Sequence, residues 1–235
     1  MNKKYLCIAL AMLLLVAAAA LAGCGGASNE PDEEDGMGND AIQEETDWND
    51  PEEIEALLGK YEDFPGATYR CIITVPGVQP VEQRVWVTPA KIRSEMTHPQ
   101  GSGELLGIVD LEAGLYYSYD SMSGIAIQYG LGKGHGDIPT PKAYADDVSV
   151  EDMDYARREV FDGKDCIVYD FEMGGTMWVW EKYGTPLKIV SKVEGSEVTV
   201  EFLEFEYGPV PDEMFELPPG ATIMDLGDLG VTGGL

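Results

Sequence analysis

Between Tyr69 and Tyr207 the chain is cut by short turn signals into segments of about six to eleven residues, and inside most of them apolar and polar residues alternate. Tyr69, Cys71, Ile73 and Val75 alternate with Arg70, Ile72 and Thr74. That period of two is the mark of a strand with one buried face. Further strands are expected at 81–88, 91–97, 105–111, 114–120, 124–129, 157–162, 165–172, 175–182, 186–194 and 197–207. Pro76-Gly77, Pro89-Ala90, Ala113-Gly114, Asp162-Gly163, Gly174-Gly175, Gly184-Thr185-Pro186 and Gly195-Ser196 separate them, all residue types that suit tight turns. No stretch within this span is long enough for a helical bundle. The expected architecture is one antiparallel meander of ten or eleven strands, an α+β chain that is mostly β. Parity changes inside the last long strand, from Val198, Val200 and Phe202 to Phe205 and Tyr207, which predicts a β-bulge near Leu203–Glu204.

One helix precedes the strands. Asp50 is a suitable N-cap, Pro51 a first helical residue and Glu53 a third-position acid, while Ile54, Leu57, Leu58 and Tyr61 form one apolar face. A second helical signal, Ser149-Val150-Glu151-Asp152, lies in the interruption at 130–156. There Gly130, Gly132, Gly134 and Gly136 alternate with Leu131, Lys133 and His135, and the reading is a mobile flap over the sheet. The glycine run lacks the Gly-Lys-Ser/Thr ending of a phosphate loop.

Ahead of the folded part stand two segments of different character. Residues 1–23 carry Lys3 and Lys4, then an apolar run from Tyr5 to Leu21 too short for a permanent membrane span, and no acid occurs before Glu30. Leu21-Ala22-Gly23-Cys24 resembles the bacterial lipobox. That resemblance implies cleavage between Gly23 and Cys24, a diacylglycerol on the Cys24 thiol, and palmitate-type acylation of the new terminus. From Cys24 to Glu55 there are 13 acidic residues and no basic one. Such a segment buries too little apolar surface to offset its chain entropy. Residues 24–47 are therefore expected to be a disordered acidic tether, and 48–235 the folded domain. Asp32-Glu33-Glu34-Asp35-Gly36 lacks the alternating ligand spacing of a calcium loop.

The chain has 43 acidic and 15 basic residues, and loss of residues 1–23 removes Lys3 and Lys4 but no acid, moving the formal charge from −28 to −30. A protein so anionic is repelled by nucleic acid and by acidic head groups. Attachment to a membrane then rests on the acyl chains of Cys24, each buried methylene contributing about 0.8 kcal/mol. Cys71 and Cys166 are the cysteines left to the body. In an extracytoplasmic compartment they are either a disulfide or two buried thiols. His98 and His135, the only histidines, lie in separate segments, and no nucleophile elbow or zinc spacing is present. An enzyme is not expected, nor a cofactor, nor a metal site.

Three stretches carry a resemblance. Trp86-Val87-Thr88-Pro89-Ala90-Lys91-Ile92-Arg93-Ser94-Glu95-Met96-Thr97-His98-Pro99, then Asp110-Leu111-Glu112-Ala113-Gly114-Leu115-Tyr116-Tyr117-Ser118-Tyr119, and finally Phe215-Glu216-Leu217-Pro218-Pro219-Gly220-Ala221 resemble the LolA/LolB-like lipoprotein-carrier superfamily. Asp162–Tyr169 and Trp178–Lys188 are similar to carrier-like lipoproteins of an uncharacterised subgroup. The resemblance implies an unclosed, curved antiparallel half-barrel with helices on its concave side, and an apolar ligand such as a lipid or a lipoprotein acyl chain held there. Trp86, Tyr117, Tyr119, Trp178, Trp180 and Phe202 are the candidate lining of that cavity, and a filled core made of the same residues is the alternative. An envelope protein partner on the same curved sheet is the rival function. The expected location is outside the cytoplasm, lipid-anchored to the cell membrane or, in a two-membrane cell, to the outer membrane.

Overall fold

The computed structural model describes residues 46–131, 140–146, 148–172, 174–193 and 195–225. The expected signal, the lipobox-like motif with Gly23 and Cys24, most of the expected acidic tether, and the glycine-rich run with His135 lie outside the described residues.

Helix α1 (Pro51–Gly59) begins as its sequence dictates, with the Asp50 side chain accepting the Glu52 N–H and Pro51 in the first turn. Ile54 and Leu57 are its buried residues, each 1% exposed. A 3-10 turn (Lys60–Asp63) follows. The strands are β1 (Ala67–Thr74), β2 (Val81–Val87), β3 (Lys91–Thr97), β4 (Glu104–Asp110), β5 (Leu115–Asp120) and β6 (Ile125–Gly130). After helix α2 (Pro141–Asp146) come β7 (Met153–Phe161), β8 (Lys164–Phe171), β9 (Gly175–Trp180), β10 (Thr185–Val193) and β11 (Ser196–Tyr207), and last β12 (Thr222–Asp225). Ser149-Val150-Glu151-Asp152 forms only a 3-10 turn over Val150–Asp152, without a side-chain cap.

All twelve strands join one unclosed sheet in the order β12-β6-β5-β4-β3-β2-β1-β11-β10-β9-β8-β7. This is the curved, mostly β half-barrel. It is two meanders rather than the single one expected, β1 to β6 and β7 to β11, joined where β1 pairs antiparallel with β11. The first meander ends near one edge and the second begins at the other. In a flat sheet, ten strand spacings of about 4.8 Å would separate β6 from β7. Within the segment that joins them, α2 packs on β10. Strand β12 was not expected; it extends the edge by parallel pairing with β6.

Turn chemistry accounts for the hairpins. Asp162 and Gly163 both have positive φ, 49° and 71°, which is the left-handed pair that matches strand twist in a two-residue hairpin. The expected bulge is present: Glu204 has φ 53°, and the β1–β11 register slips between Thr68/Glu206 and Arg70/Leu203. That slip lets Phe202 and Phe205 both contact Tyr69, with ring centroids 5.4 and 5.0 Å away. The main core gathers Ile54 and Leu57 of α1 with Tyr69, Val85, Ile92, Val109, Tyr169, Met177, Ile189 and Phe202 of the sheet. Cys71 on β1 and Cys166 on β8 are buried free thiols, not a disulfide. Four strand steps separate β1 from β8, far beyond the reach of a bridge.

Candidate functional site

Strand register divides the sheet into two faces, and the six expected cavity residues fall on both. Phe202 is paired with Cys71 on the helix-bearing face and is fully buried there, with Tyr144 of α2 at 6.1 Å. Trp86, Tyr117 and Tyr119 point the other way, where they pack on Leu106, Ile108 and Phe215 under the 210–217 segment. Trp178 is in register with Lys188 and Glu201, one residue out of phase with Phe202, so it also faces away from α1. It lies between the Arg157 and Lys188 cations, at 5.7 and 5.1 Å from its ring. Trp180 ends its strand among Tyr183, Tyr207 and Phe205. The six therefore do not line one cavity. Over β1 and β8 to β11 the helix-bearing face is a filled core, because Ile54 and Leu57 occupy its centre.

The same face is open at its other end. Across β3 to β6 and β12, register aligns Ser94, Gly107, Ser118, Ile127 and Met224 in one row. A second row holds Ile92, Val109, Tyr116 and Tyr129, and a third Met96, Leu105, Asp120 and Ile125. Ile92 and Val109 belong to the core that contains α1, which fixes the face. The middle row begins with small residues. A Cβ on Gly107 would meet Ser94 Oγ and the Tyr116 hydroxyl, both at 2.9 Å, so only glycine lets the Tyr116 phenol lie over the strand. Tyr116 and Tyr129 are ring neighbours at 4.8 Å, and the Tyr116 hydroxyl is hydrogen-bonded to Ser118 and Tyr129. Burial pushes both phenols above their ordinary value, and the Tyr116 charge and hydrogen bond add to the rise at Tyr129. Each is a neutral hydroxyl at physiological pH. Ile127 and Met224 remain 39% and 42% exposed, and Met96, Leu105 and Ile125 are half-buried.

A separate groove of about 560 Å³ lies outside the core between α1 and the α2 connector, with Leu58, Tyr61, Val148 and Val150 on its floor and Glu55, Asp146 and Glu151 on its rim. Lys142, the cation among its lining residues, is held by Asp146 at 2.6 Å. Among the described residues, no cluster of three or more His, Cys, Asp or Glu side chains is placed to hold a metal ion.

Sequence reasoning missed the open row because it looked for large aromatic residues. The available signal was the opposite: Ser94, Gly107 and Ser118 interrupt three neighbouring strands at inward positions that otherwise carry large side chains. Their alignment is a matter of register, which no single strand reveals.

Neither a family model nor a curated protein matches the sequence. Solved structures resemble the chain at low identity. An uncharacterized conserved protein from Thermus thermophilus is 11% identical with a TM-score of 0.48, over 74% of this chain and 98% of that one. LprF from Mycobacterium bovis is 13% identical at 0.44, over 72% and 98%. A LolA superfamily protein from Nitrosomonas europaea is 10% identical at 0.34, over 70% and 97%.

Proposed function

We propose that this protein is a lipid-anchored binding module of the cell envelope that holds a lipid or acyl chain at the open end of its helix-bearing face. Supporting the anchor is the lipobox-like motif that ends in Cys24, after the basic start and the apolar run from Tyr5 to Leu21. The observation that carries the binding reading is the contrast within one face. Where α1 packs, Ile54, Leu57, Tyr69, Tyr169, Met177 and Phe202 are sealed, whereas Met96, Leu105, Ile125, Ile127 and Met224 form an unsealed apolar strip next to two tyrosine hydroxyls. An apolar strip with a few convergent polar groups is the usual composition of a ligand site. The reading includes no catalytic step, cofactor or metal.

A protein partner is the second reading, favoured by the free edge of β7, where Val160 is 64% exposed beside Arg157, Arg158 and Glu159. An edge of this kind accepts an added strand.

Native mass spectrometry of the mature protein, extracted from membranes with mild detergent, separates the two. A bound mass in the lipid range that disappears in Ile127→Asp supports the lipid reading. Apo protein together with a co-purifying polypeptide lost on Val160→Pro refutes it in favour of the edge.

A further inference from the structure

We infer that the open end of the helix-bearing face selects lipids with uncharged, hydroxyl-bearing head groups and discriminates against anionic ones. This rests on the lipid-binding reading above and narrows its ligand class.

The basis is the distribution of charge between the two faces of β3 to β6. On the open face the polar side chains are the hydroxyls of Ser94, Tyr116, Ser118 and Tyr129, and the carboxylate of Asp120. No lysine or arginine among the described residues of these strands points there. The cations of β2 and β3 belong to the opposite face. Arg93 is in register with Trp86 and Ile108; its guanidinium is held by Glu95 and donates to the backbone oxygens of Met214 and Glu216 at 2.7 and 3.1 Å. Arg84 lies 5.1 Å over the Trp86 ring, and Lys91 pairs with Asp212 at 3.7 Å.

Among the described residues of β3 to β6, an anionic head group brought onto the open face would thus lose water without meeting a cation, and would come close to Asp120. Removing a carboxylate or phosphate from water without a partner costs far more than removing a hydroxyl that finds a hydrogen bond. A glycerol or sugar head group needs only neutral donors and acceptors. Tyr116, Tyr129, Ser94 and Ser118 are grouped together to supply them, because register puts the four in two adjacent rows. The net charge of the whole chain, −28, adds a long-range repulsion of the same sign.

The test uses two probes with the same acyl chain, 1-monoolein and oleate, each titrated below its aggregation limit at pH 8 into delipidated mature protein. Binding to the wild type and to Asp120→Asn is measured calorimetrically; the Asn side chain keeps the acceptor that receives the Met122 N–H at 2.8 Å. Saturable monoolein binding at least about tenfold tighter than oleate is expected, with the ratio narrowing in Asp120→Asn through a gain for oleate alone. Equal affinities, or tighter oleate binding, would overturn the selectivity while leaving the lipid-binding reading in place. Absence of saturable binding for both probes would remove that reading and the selectivity with it.

Discussion

Gly184, in the turn between β9 and β10, lies directly against the backbone of α1. Its φ is +64°, and a Cβ placed on it would lie 1.8 Å from the carbonyl oxygen of Leu57, 2.9 Å from the Leu57 carbonyl carbon and 3.3 Å from Leu58 Cα. All three are backbone atoms of α1, so no side-chain rotation relieves the clash. Gly184→Ala forces a choice. Either the turn and helix strain in place, at about 1–3 kcal/mol for overpacking, or α1 lifts and gives up the burial of Ile54 and Leu57, roughly 1.5–3 kcal/mol each. The left-handed backbone adds about 1–2 kcal/mol for any residue with a Cβ. Gly163 supplies the control: its φ is +71°, but nothing lies within 4 Å of an added Cβ. Gly163→Ala should therefore carry the backbone term alone, and Gly184→Ala should lose roughly 1–3 kcal/mol more. Urea unfolding of mature protein carrying Cys24→Ser measures both. If α1 lifts rather than strains, the denaturant slope of Gly184→Ala should also fall, because its native state already exposes the surface that unfolding would reveal. Two variants equally destabilised, within about 0.5 kcal/mol, would refute the claim that α1 is seated on the sheet at this turn.

Cys24→Ser should abolish lipidation and move the protein from the membrane to the soluble fraction; unchanged partitioning on fractionation would contradict the anchor. Deleting residues 30–41 from the acidic tether should shift the melting temperature by less than about 4 °C, since a larger drop would mean that the segment packs on the body. Burial pushes the Cys71 thiol from 9.0 up to about 12, so between those values the unfolded chain binds fewer protons than the folded one and stability falls as pH rises. At about 1.4 kcal/mol per pH unit, Cys71→Ala should lose about 2 kcal/mol less than wild type between pH 8 and 10.5; parallel curves would show that the thiol is not sealed.

Local chemistry alone determined most of the elements of this protein. Asp50 and Pro51 start α1 as capping rules require, and the turn pairs delimit eleven strands whose ends differ from expectation mainly at β7, which begins four residues earlier, at Met153. The bulge at Glu204 was legible as a parity change because a strand's two faces alternate strictly. Strand β12 was not legible: Thr222–Asp225 is too short for a period to show, and it is held only by β6. The sequence pattern also put Trp178 and Trp180 at alternate positions of one strand, yet it carried no information on which face would receive α1. Only the joining of β1 to β11, and the helix seated against Gly184, decided that Phe202 lies under α1 while Trp86 and Trp178 are on the other side of their strands, where Trp178 is nonetheless buried. For the same reason Ser94, Gly107 and Ser118 were unremarkable one by one. Pairing between strands that are distant in sequence sets register, and register alone turns three small residues on three strands into one row beside Tyr116 and Tyr129.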